Sequence, residues 1–97
     1  MYGTIARMRP KAGHEQQIAE LMDQWNRERK PKVSGAVGSY LLRPDRNPDE
    51  VLLMAIFDSR ETYRANADDP EQDAWYRQLR ENLEADPSWE DGEITAA

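Results

Sequence analysis

Two side chains on one predicted helix, Tyr63 and Asn66, carry polar groups that a buried aromatic ligand would need. They lie three residues apart and therefore close together on the helix surface. A phenol both donates and accepts hydrogen bonds, and so does a carboxamide. Three large aromatic side chains, Trp25, Phe57 and Trp75, are predicted to surround the same space between helices and sheet. Such a pocket suits a planar, hydrophobic, phenolic ligand, although ordinary core packing would also explain each side chain taken alone.

Other kinds of active site lack the residues that they require. The chain has no cysteine, which excludes disulfides, thiolate nucleophiles and zinc-thiolate sites. The single histidine, His14, falls at the start of a predicted helix, where a surface or capping role is expected. The carboxylate pairs Asp68 and Asp69, and Glu90 and Asp91, lie in capping and terminal contexts, and no phosphate loop or nucleophile elbow is present. We therefore expect no cofactor and no metal.

The composition predicts one soluble globular domain over residues 1–97. Hydrophobic residues make up 38% of the 97, enough for one core. No apolar run approaches the roughly 18 residues of a membrane helix, and no signal-peptide pattern occurs, so we predict a cytoplasmic protein without membrane contact. The net charge of -6, from 19 acidic and 13 basic residues, would repel nucleic acid. A local basic patch of Arg7, Arg9 and Lys11 is the one alternative.

The segment Val51–Phe57 is a run of seven apolar residues and predicts a strand that is apolar on both faces. Alternate side chains of a strand point to opposite sides of the sheet. Helices can cover one side, but a chain of this length has no second layer for the other. We therefore expect a homodimer in which the partner subunit covers the second face.

The remaining elements are inferred from periodicity and from turn residues. A first strand is predicted over 2–9, a helix over about 14–29 that Pro31 stops, and a second strand over 33–43. Gly35 and Gly38 indicate a bend, a bulge or a close backbone approach in that second strand.

Two further helices follow the apolar strand. Asp58 or Ser59 is expected to cap the first, with Glu61 completing a capping box with Asp58, and this helix is predicted to end near Ala67.

Asp69 is predicted to cap the second of these helices, with Pro70 at its first position and Gln72 completing the box. Trp75, Leu79 and Leu83 then recur every four residues. A last strand containing Trp89 and Ile94 completes a ferredoxin-like α+β fold, βαββαβ, with an antiparallel sheet and helices on one face.

Several stretches in this order resemble the antibiotic biosynthesis monooxygenase (ABM) family of dimeric α/β barrels. They are the Pro10 to Gly13 loop into a helix, the two glycines before Tyr40-Leu41-Leu42-Arg43, and the segment Phe57 to Asn66. The resemblance covers Tyr2 to Ile94. It implies that two sheets pack face to face across a dimer and that each subunit keeps a pocket between its own sheet and helices.

The best-known members that this sequence resembles are cofactor-free oxygenases that convert phenols to quinones. Their pocket uses an asparagine and a tryptophan on the third strand and a tyrosine just after it. Here Tyr63 matches the tyrosine, whereas Leu53 and Phe57 stand in the other two positions. A leucine cannot hydrogen-bond a substrate anion. A haem-degrading branch uses a tryptophan and, nine residues later, a histidine ligand, where this chain has Asn66 and Trp75, so haem is not expected.

Two functions follow from these observations. The resemblance implies a cofactor-free monooxygenase of a small aromatic or polyketide-like substrate, in which Tyr63 orients or protonates the oxygenated intermediate and Asn66 supplies a hydrogen bond. Trp25, Phe57 and Trp75 would then bind the substrate. The leucine at position 53 favours the alternative, a non-catalytic dimeric barrel that binds a small hydrophobic molecule.

Overall fold

The computed structural model describes all 97 residues and contains four strands and three α-helices. In chain order they are β1 (Tyr2–Met8), α1 (Glu15–Gln24), β2 (Ala36–Leu42), β3 (Val51–Phe57), α2 (Arg60–Ala67), α3 (Pro70–Glu81) and β4 (Ser88–Glu93). The sheet has the order β2-β3-β1-β4, and every neighbouring pair is antiparallel. The predicted ferredoxin-like α+β fold is confirmed.

The inner face of the sheet carries the core. Ala6 and Met8 of β1 and Val51, Leu53 and Phe57 of β3 are buried there. The helices contribute further buried side chains to the same cluster, namely Ile18, Met22, Trp25, Trp75 and Leu79, with Leu83 just beyond α3. The four-residue spacing from Trp75 to Leu83 therefore does mark the buried face of α3, as predicted.

The outer face of the sheet is apolar along its centre and carries no helix. Tyr40 of β2 pairs with Met54 of β3, which pairs in turn with Ile5 of β1, so these three side chains form a row across the sheet. Leu42 and Leu52 form the next row. Tyr40 is 60% exposed and Leu42 is 49% exposed. The strand Val51–Phe57 thus has one buried face and one half-buried face within the single chain.

The helix after β1 changes geometry along its length. Regular α-helix ends at Gln24, a π-helical segment occupies Trp25–Arg29, and a 3₁₀ turn covers Lys30–Lys32. The predicted single helix to residue 29 is correct in extent and wrong in type. Pro31 does not stop the helix from outside but lies within the 3₁₀ turn, where proline can be accommodated because the first turn of a helix leaves its N–H groups unbonded.

The bulge predicted near Gly35 and Gly38 is present. The pairing of β2 with β3 shifts register between Ala36 and Gly38, and β2 begins at Ala36 rather than at Val33. Gly35 has a φ of 79°, and a Cβ atom there would collide with Asp58 and Thr62. The backbone of this turn therefore packs directly on the start of α2.

Neither predicted capping box forms, although both helices have a side-chain N-cap. Ser59 caps α2, and its hydroxyl accepts a hydrogen bond from the backbone N–H of Thr62, so Glu61 does not complete a box with Asp58. Asp69 does cap α3, but it accepts from Glu71 N–H.

The Gln72 side chain accepts a hydrogen bond from Trp25 instead, and so does not complete the box at Asp69.

None of the helices has the length and apolar character that crossing a bilayer requires.

Candidate functional site

A cavity of about 330 Å³ lies between the inner face of the sheet and the helices. All five residues singled out in the sequence line it, namely Trp25, Phe57, Tyr63, Asn66 and Trp75. Leu53 and Ala55 of β3 form part of the sheet-side wall. The fold therefore brings these side chains around one space rather than packing them in separate parts of the core.

The aromatic walls are fixed by ring contacts and by hydrogen bonds. Phe57 meets Tyr63 edge to face with ring centroids 5.5 Å apart, and Tyr2 packs on the other side of Tyr63 at 5.4 Å. Trp75 Nε1 donates to the backbone oxygen of Leu21 at 3.2 Å. Arrangements of this kind add to the stability that burial provides and hold the rings in place.

Tyr63 presents its hydroxyl to the last strand. It donates a 2.9 Å hydrogen bond to Asp91 Oδ1, and Asp91 is exposed to solvent. The pKa of Tyr63 is raised from its ordinary 10.0 to about 12, mainly by burial; the Thr4 hydroxyl opposes this rise and the Asp91 carboxylate adds to it. At neutral pH Tyr63 is therefore a protonated donor next to a solvent-exposed carboxylate.

A cluster of polar side chains surrounds Arg29 at the end of the π-helical segment. Arg29 Nε donates to Gln72 Oε1 at 3.2 Å, and Arg29 Nη2 donates to Asn66 Oδ1 at 3.2 Å. Trp25 Nε1 donates to the same Gln72 oxygen at 2.9 Å. Only 12% of the Arg29 side chain is exposed, and Glu71 accepts from Nη1 at 3.0 Å. One arginine therefore ties the end of the first helical region to α2 and α3.

Asn66 lies on the same helix as Tyr63 but hydrogen-bonds neither to it nor to Trp75. Tyr63 donates to Asp91, and Trp75 donates to a backbone carbonyl. Asn66 instead accepts from Arg29. The α2 helix thus directs Tyr63 toward β4 and Asn66 toward Arg29 at the end of the π-helical segment, so the two side chains do not bond to each other.

One side of the cavity is bordered by Tyr76 and Trp89, whose ring centroids lie 5.9 Å apart. Trp89 is 47% exposed although it occupies the inner face of β4. Trp89 therefore forms a half-exposed aromatic edge of the cavity.

A sequence model of the family described as antibiotic biosynthesis monooxygenase matches residues 1–78. This chain belongs to that family. A comparison with curated proteins found no match.

Solved structures with the same fold include proteins named as candidate antibiotic biosynthesis monooxygenases. One from Nitrosomonas europaea has a TM-score of 0.76 at 16% identity, covering 99% of this chain and 100% of that one. A protein of Mycobacterium tuberculosis has a TM-score of 0.76 at 18% identity, covering 99% and 96%. A conserved protein from Methanosarcina mazei has a TM-score of 0.81 at 13% identity, covering 97% and 92%. At such identities the likeness concerns the fold.

In this ABM family member, two wall residues of the cavity stand at the positions to which the resemblance gives an asparagine and a tryptophan in the phenol oxygenases. Leu53 and Phe57 both line it and are buried. The side chains that β3 contributes to this wall are apolar, whereas β1 and β2 contribute the hydroxyls of Thr4 and Ser39. Both hydroxyls already donate to protein oxygens, Thr4 to Glu90 O and Ser39 to Asn26 Oδ1. β3 thus lacks the hydrogen-bonding capacity that an asparagine would give, and the amides of Asn66 and Gln72 lie on the helix side.

Three polar residues of this ABM site were not identified from the sequence, namely Arg29, Gln72 and Asp91. In the sequence Gln72 fits a capping box and Arg29 fits the basic end that suits a helix dipole, and each is the commoner use of such a residue at such a place. Asp91 lies on a strand of polar sequence whose register could not be read. His14 occupies the N-cap of α1, but its Nδ1 lies 2.8 Å from Asn82 Oδ1 instead of capping the backbone.

Proposed function

We propose that this protein binds a planar phenolic or enolic compound in the cavity and oxygenates it with dioxygen, without a cofactor. The observation that supports this most directly is the combination of an aromatic cavity with a protonated tyrosine held by an exposed carboxylate, Tyr63 and Asp91. Membership of the ABM family supports the same reaction class.

The proposed reaction is written for an anthrone, in which a ring CH₂ becomes a carbonyl. A base removes one C–H proton and leaves an enolate, which passes an electron to dioxygen. The organic radical and superoxide then combine through a new C–O bond. The peroxide takes up a proton, the O–O bond breaks, and the second C–H proton leaves with that oxygen as water. One dioxygen is consumed, and one carbonyl and one water are formed.

The Tyr63–Asp91 pair can carry both proton movements. When the substrate gives its proton to the Tyr63 oxygen, the phenol proton can pass along the 2.9 Å hydrogen bond to the carboxylate. The pKa of about 12 keeps Tyr63 in its phenol form, so it is a donor when the peroxide needs a proton, and the proton held by Asp91 then returns to Tyr63 along the same hydrogen bond.

Oxygen uptake with a panel of anthrones and hydroquinones tests the proposal. We expect Tyr63→Phe to lower the rate by about 10²- to 10⁴-fold, which is typical for loss of a positioned proton donor. Tyr40→Phe is the control, because it makes the same chemical change on the outer face of the sheet, away from the cavity. Its mass by light scattering should match that of wild type, since Tyr40 lies in the proposed dimer face, and its rate should be unaltered. Equal activity of Tyr63→Phe and wild type at matched thermal stability would contradict the assignment of Tyr63.

The second candidate function, a binding module without turnover, is favoured by the apolar side chains that β3 contributes to the cavity wall. Leu53 is buried in the wall of the cavity and offers no hydrogen bond to a substrate anion. If the wild-type protein binds members of the panel and consumes no oxygen above the uncatalysed rate, this second function is correct.

We also propose that the protein is a homodimer joined through the outer face of the sheet. The rows containing Tyr40, Met54 and Ile5 and containing Leu42 and Leu52 make a contiguous apolar surface with no helix on it. Large contiguous apolar patches are uncommon on soluble monomers. Two copies related by a twofold axis can each cover the patch of the other, because such an interface uses the same surface twice.

A further inference from the structure

The carboxamides of Asn66 and Gln72 can be oriented without ambiguity because of what they touch. Arginine and the tryptophan ring nitrogen are donors only. The atom that Asn66 turns toward Arg29 must therefore be its oxygen, and the atom that Gln72 turns toward Trp25 and Arg29 must be its oxygen as well. Each amide is left with its NH₂ group for any other partner.

Both amides line the cavity, and neither NH₂ group hydrogen-bonds another side chain or the backbone. Two pairs of N–H donors on one side of an apolar cavity favour a ligand oxygen that carries negative charge, because hydrogen bonds to an anion are stronger than those to a neutral oxygen. On the opposite wall, Leu53 and Phe57 of β3 can contact only the apolar part of the ligand, and the hydroxyls of Thr4 and Ser39 already donate to protein oxygens.

We infer that Arg29 is a positioning residue that holds the Asn66 and Gln72 carboxamides so that their NH₂ groups bind the anionic oxygen of a phenolate or enolate ligand. This inference rests on the proposed function and assigns the substrate-anion site of the same cavity. It also supplies donors on the helix side, whereas β3, with a leucine at position 53, offers none.

The carboxylates around Arg29 indicate that its geometry matters more than its charge. Glu71 is bonded to it at 3.0 Å, and Asp69 lies at 3.7 Å. Asp73 also borders the cavity but is ion-paired with Arg77 at 3.0 Å. With two carboxylates beside one guanidinium, the cation has little net attraction left for a ligand. Its flat fork of donors, which a lysine lacks, is what reaches two amides at once.

The test uses quinizarin, a dihydroxyanthraquinone whose phenol and phenolate differ in colour. As a quinone it lacks the reactive CH₂ group of an anthrone, so binding is observed without turnover. We expect the wild-type protein to lower the apparent phenol pKa of the bound dye by about one unit or more. Gln72→Glu and Asn66→Asp keep the oxygen that faces Arg29 and lose the NH₂ group. Each should weaken binding of the phenolate by roughly ten- to a hundredfold and raise the pKa of the bound dye.

Two comparisons make the result specific. Gln16→Glu adds the same negative charge on an exposed part of α1 and should leave dye binding as in wild type. Arg29→Lys keeps the positive charge and should still lose the shift in the dye pKa, because the fork is gone. A lysine variant that retains the shift would overturn the positioning role of Arg29.

The inference and the proposed function fail in different ways. If the dye binds to the wild type with an unaltered phenol pKa, or if Gln72→Glu and Asn66→Asp bind it as the wild type does, the anion site is wrong and the aromatic pocket remains. If the dye and the anthrone panel do not bind at all, both are overturned.

Discussion

The hydroxyl of Tyr63 lies 2.9 Å from Asp91 Oδ1, and so a residue of α2 and a residue of the last strand share one proton donor at the cavity wall. The pKa of Tyr63 rises from 10.0 to about 12, first because of burial and then because of this carboxylate. The neutral phenol is thus favoured in the folded state relative to the unfolded chain.

The stability of the protein should fall between pH 10 and pH 12, in part through Tyr63. The pKa of Tyr63 is higher in the folded protein than in the unfolded chain. The stability that Tyr63 contributes is therefore complete below pH 10 and is lost as the pH rises to 12, because the tyrosine of the unfolded chain ionises first. Urea unfolding across this range should show a smaller loss for Tyr63→Phe than for wild type. If the free energy of unfolding falls equally with pH in the two proteins, the raised pKa of Tyr63 is contradicted.

Asp91→Asn should lower the pKa of Tyr63 from about 12 while leaving it above 10.0. Asparagine keeps an oxygen that can accept the hydrogen bond, but the negative charge is removed and burial remains. Alkaline titration followed by ultraviolet difference absorbance measures this. Glu90→Gln is the control, since Glu90 pairs with Ile5 and lies on the outer face of the same strand. A titration of Asp91→Asn identical to wild type would rule out the coupling.

Gly35→Ala should destabilise the protein more than Gly13→Ala. Both glycines have a φ of 79°, so the backbone strain of an alanine is shared, at about 1 to 2 kcal/mol. Only at Gly35 would the added Cβ atom also collide with Asp58 and Thr62, whereas nothing lies within 4 Å at Gly13. Thermal or urea unfolding of the two variants gives the difference directly. Equal losses of stability in the two variants would show that α2 accommodates the added Cβ atom at no cost in free energy.

Met54→Glu should convert the proposed homodimer to a monomer or unfold it. Met54 lies at the centre of the apolar row between Tyr40 and Ile5, and an unpaired charge buried in an interface is expensive. Light scattering gives the mass in solution, with Gln16→Glu as a control of equal charge. A wild-type protein that is a folded monomer at micromolar concentration would contradict the dimer itself.

The elements of this fold can be read from the sequence where burial alone determines them. Val51–Phe57 is a strand, and Trp75, Leu79 and Leu83 mark the buried face of α3, because apolar periodicity reports directly on the core. The aromatic lining of the cavity follows from the same rule. The change from α- to π-helix at Trp25 leaves no comparable signal, since both helix types use the same residues.

The polar part of the site could not be predicted because its residues have alternative local uses. Gln72 fits a capping box as well as it fits Arg29, and only the tertiary structure decides between them. Asp91 acquires its role through the pairing of β4 with β1, which sets Asp91 opposite Thr4. No local pattern in a strand as polar as this one fixes that register.

The pairing of β4 with β1 also has a consequence for the order in which the protein folds. Thr4 and Asp91 pair although they are separated by nearly the whole chain, and contacts of such long range form late. During synthesis the first strand, the helices and the ABM-matching segment 1–78 emerge before the residues of β4 do. Tyr63 therefore has no acidic partner until the last strand docks, and we expect its environment to report the final step of assembly.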